Sequence, residues 1–161
     1  MRSPGNEIAT LSSVAVAAGP ALAASSAGPT QLKAVDINET NFARFGQVIE
    51  PTEDGKSFDE RDAQLVLGRG PEHGEPPPRL YIMRLPHRGR RFSRITFHAK
   101  ATQCLGCLGT EQSWILAVAA PTLSLQRPPG TTDLVAFRIP PGVMIKLERG
   151  TWHAGEHMNY G

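Results

Sequence analysis

Cysteine is scarce in this sequence, and its arrangement argues against the common cysteine chemistries. Cys104 and Cys107 form a single CxxC motif, and no second motif supplies the other half of a four-cysteine zinc site. The flanking residues favour a strand rather than the helix start that a thioredoxin-like redox pair needs. Two cysteines make no disulfide framework, which fits a reducing compartment. We interpret both as small residues buried in a sheet.

Concentrated charge and long apolar runs are also absent. The 17 basic and 15 acidic residues leave a net charge of +2, without a long run of either sign. A nucleic-acid surface needs clustered cations, and a membrane span needs roughly 20 consecutive apolar residues. We therefore predict neither nucleic acid nor a membrane as a partner.

Residues 1–30 have a composition of their own, rich in Ala and Ser and without aromatic residues. Such a segment cannot bury enough apolar surface to order itself. A disordered leader is the first interpretation, an organelle transit peptide the second, and a secretory signal with Ala21-Leu22-Ala23 as cleavage site the third. We expect one folded domain over residues 31–161, in the cytoplasm, or in an organelle if residues 1–30 act as a transit peptide.

Glycine and proline, with 16 and 14 residues, divide the rest of the chain into short segments. The apolar segments are RLYIMRL, RFSRITFHAK, WILAVAAP, LVAFRIPP and VMIKLERG. WILAVAAP is almost continuously apolar and predicts a central strand. Asp36 is placed to cap a short helix that carries Phe42 and Phe45 on one face. We predict a mainly β fold, an antiparallel sandwich or small barrel with a short N-terminal helix.

His98 and His153 are the histidines whose positions suit chemistry, whereas His73 and His87 lie in polar loops and are interpreted as solvated. Strand alternation in RFSRITFHAK places four side chains on one face: Phe92, Arg94, Thr96 and His98. This polar face suits either the interior of a barrel or solvent, and the sequence does not separate the two.

His153 follows a strand and a Gly-Thr turn near the end of the chain. In that strand Lys146 and Glu148 share one face, from which they can approach the histidine after the turn. The plainer interpretations are a solvated Lys146 and a hydrogen-bonded His98.

The region around His153 resembles the second motif of cupin barrels, which reads Gly, five residues, Pro, one residue, Gly, two residues, His, three residues, Asn. Gly142, Gly150 and His153 match this spacing, whereas Glu148 stands at the proline position and His157 at the asparagine position.

The first cupin motif reads His, one residue, His, three or four residues, Glu. Thr96, His98 and Gln103 match this frame, with Thr96 replacing the first His and Gln103 the Glu. The resemblance implies a cupin-like jelly-roll barrel in which His98, Gln103 and His153 remain as metal ligands. Imidazole nitrogen and amide oxygen suit nickel, iron, manganese or zinc.

Four ordered blocks narrow the resemblance: NFARFGQVIEP, ITFHAKATQCLG, WILAVAAP and GVMIKLERGTWHAG. Together they are similar to the ureidoglycolate lyase (ureidoglycolate hydrolase) family, in particular to its plant and algal branch. This similarity implies a homodimeric cupin-like enzyme that cleaves ureidoglycolate to glyoxylate and urea in allantoin and purine catabolism, with a divalent metal such as nickel or manganese. Family members continue past the Trp-His block, so we expect this chain to lack a C-terminal part after Gly155.

The resemblance also suggests roles for individual residues. His153 would be a base or a metal ligand, because histidine is the usual group for proton transfer near neutral pH. Lys146 would anchor the substrate carboxylate as a point charge. Gln103 and Arg94 would contact substrate, and His98 would complete the pocket.

Two other function classes stay open. A metal-dependent cupin oxygenase or isomerase usually has three histidines and a glutamate, and this chain lacks two of those four at the expected places. A non-catalytic cupin-like protein that binds a small molecule or regulates another process is the stronger alternative, because the ligand set is reduced.

Overall fold

The computed structural model describes residues 30–53, 57, 62–75, 77–84, 90–109, 111–122 and 128–154, together with the backbone of residues 6–17. Its elements are nine strands and one α-helix: β1 Asn6–Ala17, β2 Thr30–Asp36, α1 Glu39–Phe42, β3 Gly46–Ile49, β4 Arg91–His98, β5 Gln103–Gly106, β6 Trp114–Ala119, β7 Val135–Ile139, β8 Met144–Leu147 and β9 Trp152–Ala154. Short 3₁₀ helices cover Pro71–His73 and Thr131–Asp133. The predicted mainly β fold with a short N-terminal helix is confirmed. Among the described residues, no helix is long and apolar enough to cross a membrane.

The strands form two sheets. Six of them close on themselves in the order β1-β2-β7-β6-β9-β4, and the other three form a sheet in the order β3-β8-β5. The β1–β2 and β2–β7 pairs are parallel, and the remaining pairs are antiparallel. The predicted antiparallel arrangement therefore holds for most pairs.

Strand β1 lies in the segment that composition identified as a disordered or targeting leader. It pairs with β4 from Asn6 opposite His98 to Ala15 opposite Arg91, with a register shift between Thr10 and Val14. The backbone of residues 6–17 thus has regular structure, because it satisfies the hydrogen-bonding edges that β2 and β4 present. The targeting role and the domain boundary stay predictions.

Two hydrophobic cores lie on opposite faces of the closed sheet. The first core comes from that sheet and its connections: Ala34, Phe92, Ile95, Phe97, Ile115, Ala117, Ala119, Leu134, Ala136, Trp152 and Ala154. The second core joins both sheets and the helix region: Phe42, Phe45, Trp114, Leu116, Val118, Phe137, Ile139, Val143, Ile145 and Leu147. Strand β6 contributes alternate residues to each core, and all six are buried. The predicted central strand is confirmed.

Helix α1 is held at the second core by aromatic packing. The ring of Phe137 lies edge-on to Phe42 at 5.2 Å and to Phe45 at 5.5 Å between centroids. The helix is capped by Asn38, which exchanges side-chain-to-backbone hydrogen bonds with Asn41. The predicted Asp36 cap was wrong, because Asp36 ends strand β2 and its carboxylate pairs with an arginine of β7.

The first predicted strand of the central region does not form. Residues 79–84, from the segment RLYIMRL, are outside any strand, and Leu80 and Ile82 are 102% and 82% exposed. This run of adjacent apolar residues lacks the alternation that buries one face of a strand.

Gly46, at the start of β3, permits the close approach of β3 to β8. A Cβ atom at this position would overlap the carbonyl oxygen of Lys146. Nearby, the Phe45 carbonyl accepts hydrogen bonds from the Glu148 backbone at 2.9 Å and from the buried Thr151 hydroxyl at 2.8 Å. These contacts fix the turn that leads into β9.

We predict that Gly46→Ala lowers the free energy of unfolding by about 1–3 kcal/mol, because the added methyl group forces β3 away from β8. Urea unfolding followed by tryptophan fluorescence measures the change. Gly130→Ala is the matched control, since its Cβ would meet Asp133 at an ordinary 3.7 Å, and we expect a change within about 0.5 kcal/mol. Equal effects of the two substitutions would contradict this packing.

Candidate functional site

Strand β9 places His153 on the opposite face from its two neighbours. Trp152 and Ala154 belong to the first core, and the alternation of a strand turns His153 toward the second. Its cross-strand neighbours are Thr96 on β4 and Val118 on β6, and Val118 is a second-core residue. His153 is only 6% exposed, so the structure makes it a buried histidine beside the layer between the two sheets.

His98 stacks on His153. The two ring centroids lie 5.4 Å apart with an interplanar angle of 19°. His98 is the last residue of β4 and shares a strand face with Thr96. Its carbonyl oxygen accepts a hydrogen bond of 2.9 Å from Gly150, which ties the end of β4 to the turn before β9.

Gln103 reaches the same layer from the second sheet. It is the first residue of β5 and lies opposite Leu147 of β8, a second-core residue. Directly opposed residues share a face of the sheet, so Gln103 faces inward. Its side chain interacts with His98, although the two do not meet strict hydrogen-bond geometry.

The turn that joins His98 to Gln103 is tied to the preceding loop. Thr102 and Val66 form two hydrogen bonds. The Thr102 amide donates to the Val66 carbonyl at 2.9 Å, and the Val66 amide donates to the Thr102 hydroxyl at 3.0 Å. Lys100 pairs with Glu75 at 3.1 Å. These contacts restrict how far His98 and Gln103 can separate.

Thr96, His98, Gln103 and His153 form what we call the polar cluster. Each has one buried polar atom without a hydrogen-bond partner in the described part of the chain: Thr96 Oγ1, His98 Nε2, Gln103 Oε1 and His153 Nε2. Leaving such an atom unpaired costs about 1–3 kcal/mol. A ligand or ion that binds all four would recover that cost, which makes the polar cluster the candidate site.

The hydrogen bond of His153 determines which of its nitrogens can react. Nδ1 lies 3.2 Å from the carbonyl oxygen of Ala154, which can only accept, so Nδ1 carries the proton. Nε2 then keeps its lone pair. Burial, followed by the adjacent His98, lowers the pKa of His153 from 6.5 to about 4, and the bond to Ala154 opposes the shift. Burial also lowers the pKa of His98, with Gln103 opposing. Both rings are therefore neutral at pH 7.

A neutral imidazole with a free lone pair can act as a base or bind a metal. Two imidazole nitrogens and the amide oxygen of Gln103 would give a divalent ion three ligands and leave positions open for substrate. The unpaired Nε2 and Oε1 atoms fit such an ion. Among the described residues, no group of three or more His, Cys, Asp and Glu side chains could hold a metal, so the amide is needed as the third ligand.

Lys146 is not brought together with His153. The alternation of β8 turns Ile145 and Leu147 into the second core and Lys146 to the other face, where it lies opposite Cys104 and Gln47. Its Nζ donates to the carbonyl oxygen of Gln64 at 3.1 Å and pairs with Glu148. The predicted approach of Lys146 to the histidine fails because the turn to β9 does not reverse this alternation.

Other sequence predictions have mixed outcomes. Arg94 is exposed, outside the polar cluster, and Phe92 packs in the first core instead of sharing the polar face. Cys104 is exposed rather than buried, and Cys107 is half-buried.

The remaining histidines divide between the described and undescribed parts of the chain. His73 is exposed. His87 and His157 lie outside the described residues. Thr96 entered the sequence comparison only as a replaced motif position, yet it is a full member of the polar cluster.

A shallow surface depression lies apart from the polar cluster, around helix α1. Its lining residues are Asn38, Glu39, Thr40, Asn41 and Glu50. The Asn38 and Asn41 side chains there already hydrogen-bond to backbone atoms. The depression lacks the unpaired buried atoms that distinguish the polar cluster.

We predict that, with chelator present, the free energy of unfolding falls by about 2 kcal/mol between pH 7 and pH 5 through His153. In this range the unfolded chain takes up a proton at its ordinary histidine pKa of 6.5, whereas folded His153 does so only near pH 4. Stability from this group is thus present above pH 6.5 and is lost as the pH falls.

Urea unfolding at both pH values measures this dependence. His153→Leu removes the titrating group and should reduce the pH dependence by about 2 kcal/mol, leaving the part that His98 contributes, whereas His73→Gln, at an exposed position, should leave it unchanged. An identical pH dependence in wild type and His153→Leu would show that His153 is not buried as a neutral ring.

Comparisons with known proteins leave the family open. No protein-family model matches the chain, and no curated protein matches it. The functional assignment therefore depends on the four sequence blocks and on the geometry of the polar cluster.

Proposed function

We propose that this protein is a cupin-type ureidoglycolate lyase, which cleaves ureidoglycolate to glyoxylate and urea. The observation that carries the proposal is the polar cluster, with His153 buried, neutral and unpaired at Nε2. Three of its members, His98, Gln103 and His153, are also the positions that the cupin-like motif spacing indicates. The two-sheet β architecture supports a jelly-roll of the cupin kind.

The substrate carries a hydroxyl, a carboxylate and a ureido group on one carbon. His153 Nε2 takes the hydroxyl proton, and the electrons of that O–H bond form the carbonyl of glyoxylate. The carbon–nitrogen bond breaks, and its electron pair goes to the ureido nitrogen. The His153 imidazolium then gives its proton to that nitrogen. The ureido group leaves as neutral urea. The low pKa of His153 makes its protonated form a strong acid for this last transfer and its neutral form a correspondingly weak base for the first.

A divalent ion such as nickel or manganese, held by His98 and Gln103 and by His153 where that residue is a ligand, would lower the pKa of the substrate hydroxyl. The single free lone pair of His153 serves one partner at a time. His153 is therefore either a ligand or the base, and metal titration separates the two roles.

We assign carboxylate binding to Arg94 rather than to Lys146. Lys146 already has an anionic partner and a carbonyl partner on the far face of β8. Arg94 is exposed and lies two residues before Thr96 on the same strand, and its guanidinium matches a carboxylate with two parallel hydrogen bonds. We further propose a homodimer in the cytoplasm, or in an organelle if residues 1–30 act as a transit peptide.

The second candidate is a non-catalytic cupin-like protein that binds a small molecule or has a regulatory role. It is favoured by the absence of any carboxylate from the polar cluster, whose members are two imidazoles, one amide and one hydroxyl. Binding of ureidoglycolate without glyoxylate release would support this candidate over the lyase.

We predict that the full chain releases glyoxylate from ureidoglycolate and that His153→Gln reduces the rate by about 100-fold or more, since loss of a general base has effects of this size. A coupled assay of glyoxylate reduction measures the rate. His73→Gln, an exposed histidine, should keep the wild-type rate. No release from a folded wild-type sample would contradict the lyase activity.

We also predict that Co²⁺, used as a spectroscopic substitute for the native metal, binds the chelator-treated protein. His98→Ala should weaken binding by at least about tenfold, as removal of metal-site groups does. His73→Gln again serves as control. Weaker binding in His153→Gln as well identifies His153 as a ligand, and unchanged binding in that variant identifies it as the base. Unchanged binding in both variants would contradict a metal at the polar cluster.

A further inference from the structure

Thr96 is the member of the polar cluster to which no function has been assigned. Thr96 is buried, with only 7% of its surface exposed. Its Oγ1 has no hydrogen-bond partner among the described residues. Threonine in a strand is common, but a buried hydroxyl normally finds a partner in the protein. The unmet hydroxyl of Thr96 is therefore a place where a bound ligand could supply the partner.

The position of Thr96 identifies where that group would lie. Thr96 is directly opposite His153 in the antiparallel β4–β9 pair, so their Cβ atoms are about 5 Å apart on one face. The Nδ1 of His153 is hydrogen-bonded to the carbonyl oxygen of Ala154, which leaves Nε2 as the free edge of the ring. An oxygen atom that donates its proton to Nε2 would thus lie beside the Thr96 hydroxyl.

We propose that Thr96 is a substrate-binding residue whose hydroxyl donates a hydrogen bond to the α-oxygen of an α-hydroxy acid, the same oxygen from which His153 removes the proton. The identity of that oxygen rests on the proposed lyase function. The presence of a ligand hydrogen bond at Thr96 rests on burial and register alone.

The chemistry favours a neutral donor at this place. When the base takes the hydroxyl proton, negative charge develops on the α-oxygen before the carbonyl forms, and a fixed hydrogen-bond donor in a buried site stabilises that charge. Gln103 Oε1 is an acceptor, and the free His153 Nε2 is the base. Within the polar cluster, Thr96 lies directly opposite His153, and its hydroxyl can donate to this oxygen without changing its own charge.

Thr96→Val and Thr96→Ser separate this role from a structural one. Valine keeps the shape and the β-branched side chain but removes the hydroxyl, whereas serine keeps the hydroxyl. Because the hydroxyl has no partner among the described residues, Thr96→Val should have a urea-unfolding midpoint equal to or above that of wild type. Its kcat for glyoxylate release should fall about 100-fold or more, the effect of removing one such donor, and Thr96→Ser should stay within about tenfold of wild type.

A second measurement keeps the inference separate from the lyase activity. Glycolate, the simplest α-hydroxy acid, is titrated into ¹⁵N-labelled full-length protein, and the amide shifts of β4 and β9 give its Kd. We expect Thr96→Val to weaken glycolate binding at least about tenfold relative to wild type and Thr96→Ser to retain it, since good hydrogen bonds to a buried ligand have effects of this order.

The two sets of measurements distinguish the Thr96 assignment from the lyase proposal. If wild type releases no glyoxylate but binds glycolate through the Thr96 hydroxyl, the lyase proposal fails and the Thr96 assignment stands. If wild type is active and Thr96→Val keeps its kcat and its glycolate affinity, the Thr96 assignment alone fails. A lower unfolding midpoint in Thr96→Val would show that the hydroxyl is satisfied inside the protein, and this would also overturn the assignment. No glycolate binding by an inactive, folded wild type overturns both.

Discussion

The fold depends on one constraint, which is that the closed sheet must bury both of its faces. Strand β6 meets it with apolar residues throughout, whereas β9 meets it with two apolar residues and a histidine. Trp152 and Ala154 fill the first core, and the pleat of the strand leaves His153 facing the second. His153 is buried because Trp152 and Ala154, its neighbours in the strand, must be buried in the first core. Its low pKa follows first from burial, and the adjacent His98 lowers it further.

The polar cluster unites residues from both sheets. Thr96, His98 and His153 come from adjacent strands of the closed sheet, and Gln103 comes from the smaller one. None of the four carries a charge at neutral pH, so the cluster is a set of hydrogen-bonding atoms in an apolar layer. Such a site binds a neutral donor or a metal cation more readily than a bare anion, because an anion would meet unshared lone pairs at Gln103 and at His153. This explains why the substrate carboxylate is assigned to a group outside the cluster.

Alternation along single strands predicted most of what the structure contains. The nearly continuous apolar run identified the central strand β6, and alternation placed His98 with Thr96 on one polar face. Alternation failed for Lys146. The sequence tells which residues of β8 share a face with Lys146, but the position of that face relative to β9 depends on pairing between distant strands. The role proposed for Thr96 was not predicted, for a related reason. A missing hydrogen-bond partner is a property of the packed interior, and the sequence does not record it.

The central claim is that His153 is a neutral ring with its proton on Nδ1 and a free lone pair on Nε2. Imidazole ¹⁵N NMR of the metal-free protein, recorded from pH 7 to pH 5 and then with glycolate, tests it most directly. We expect His153 to remain the neutral Nδ1–H form down to pH 5. We also expect glycolate to shift the Nε2 resonance of His153. An imidazolium at pH 7, or a neutral ring with the proton on Nε2, would show that His153 has no free lone pair at Nε2.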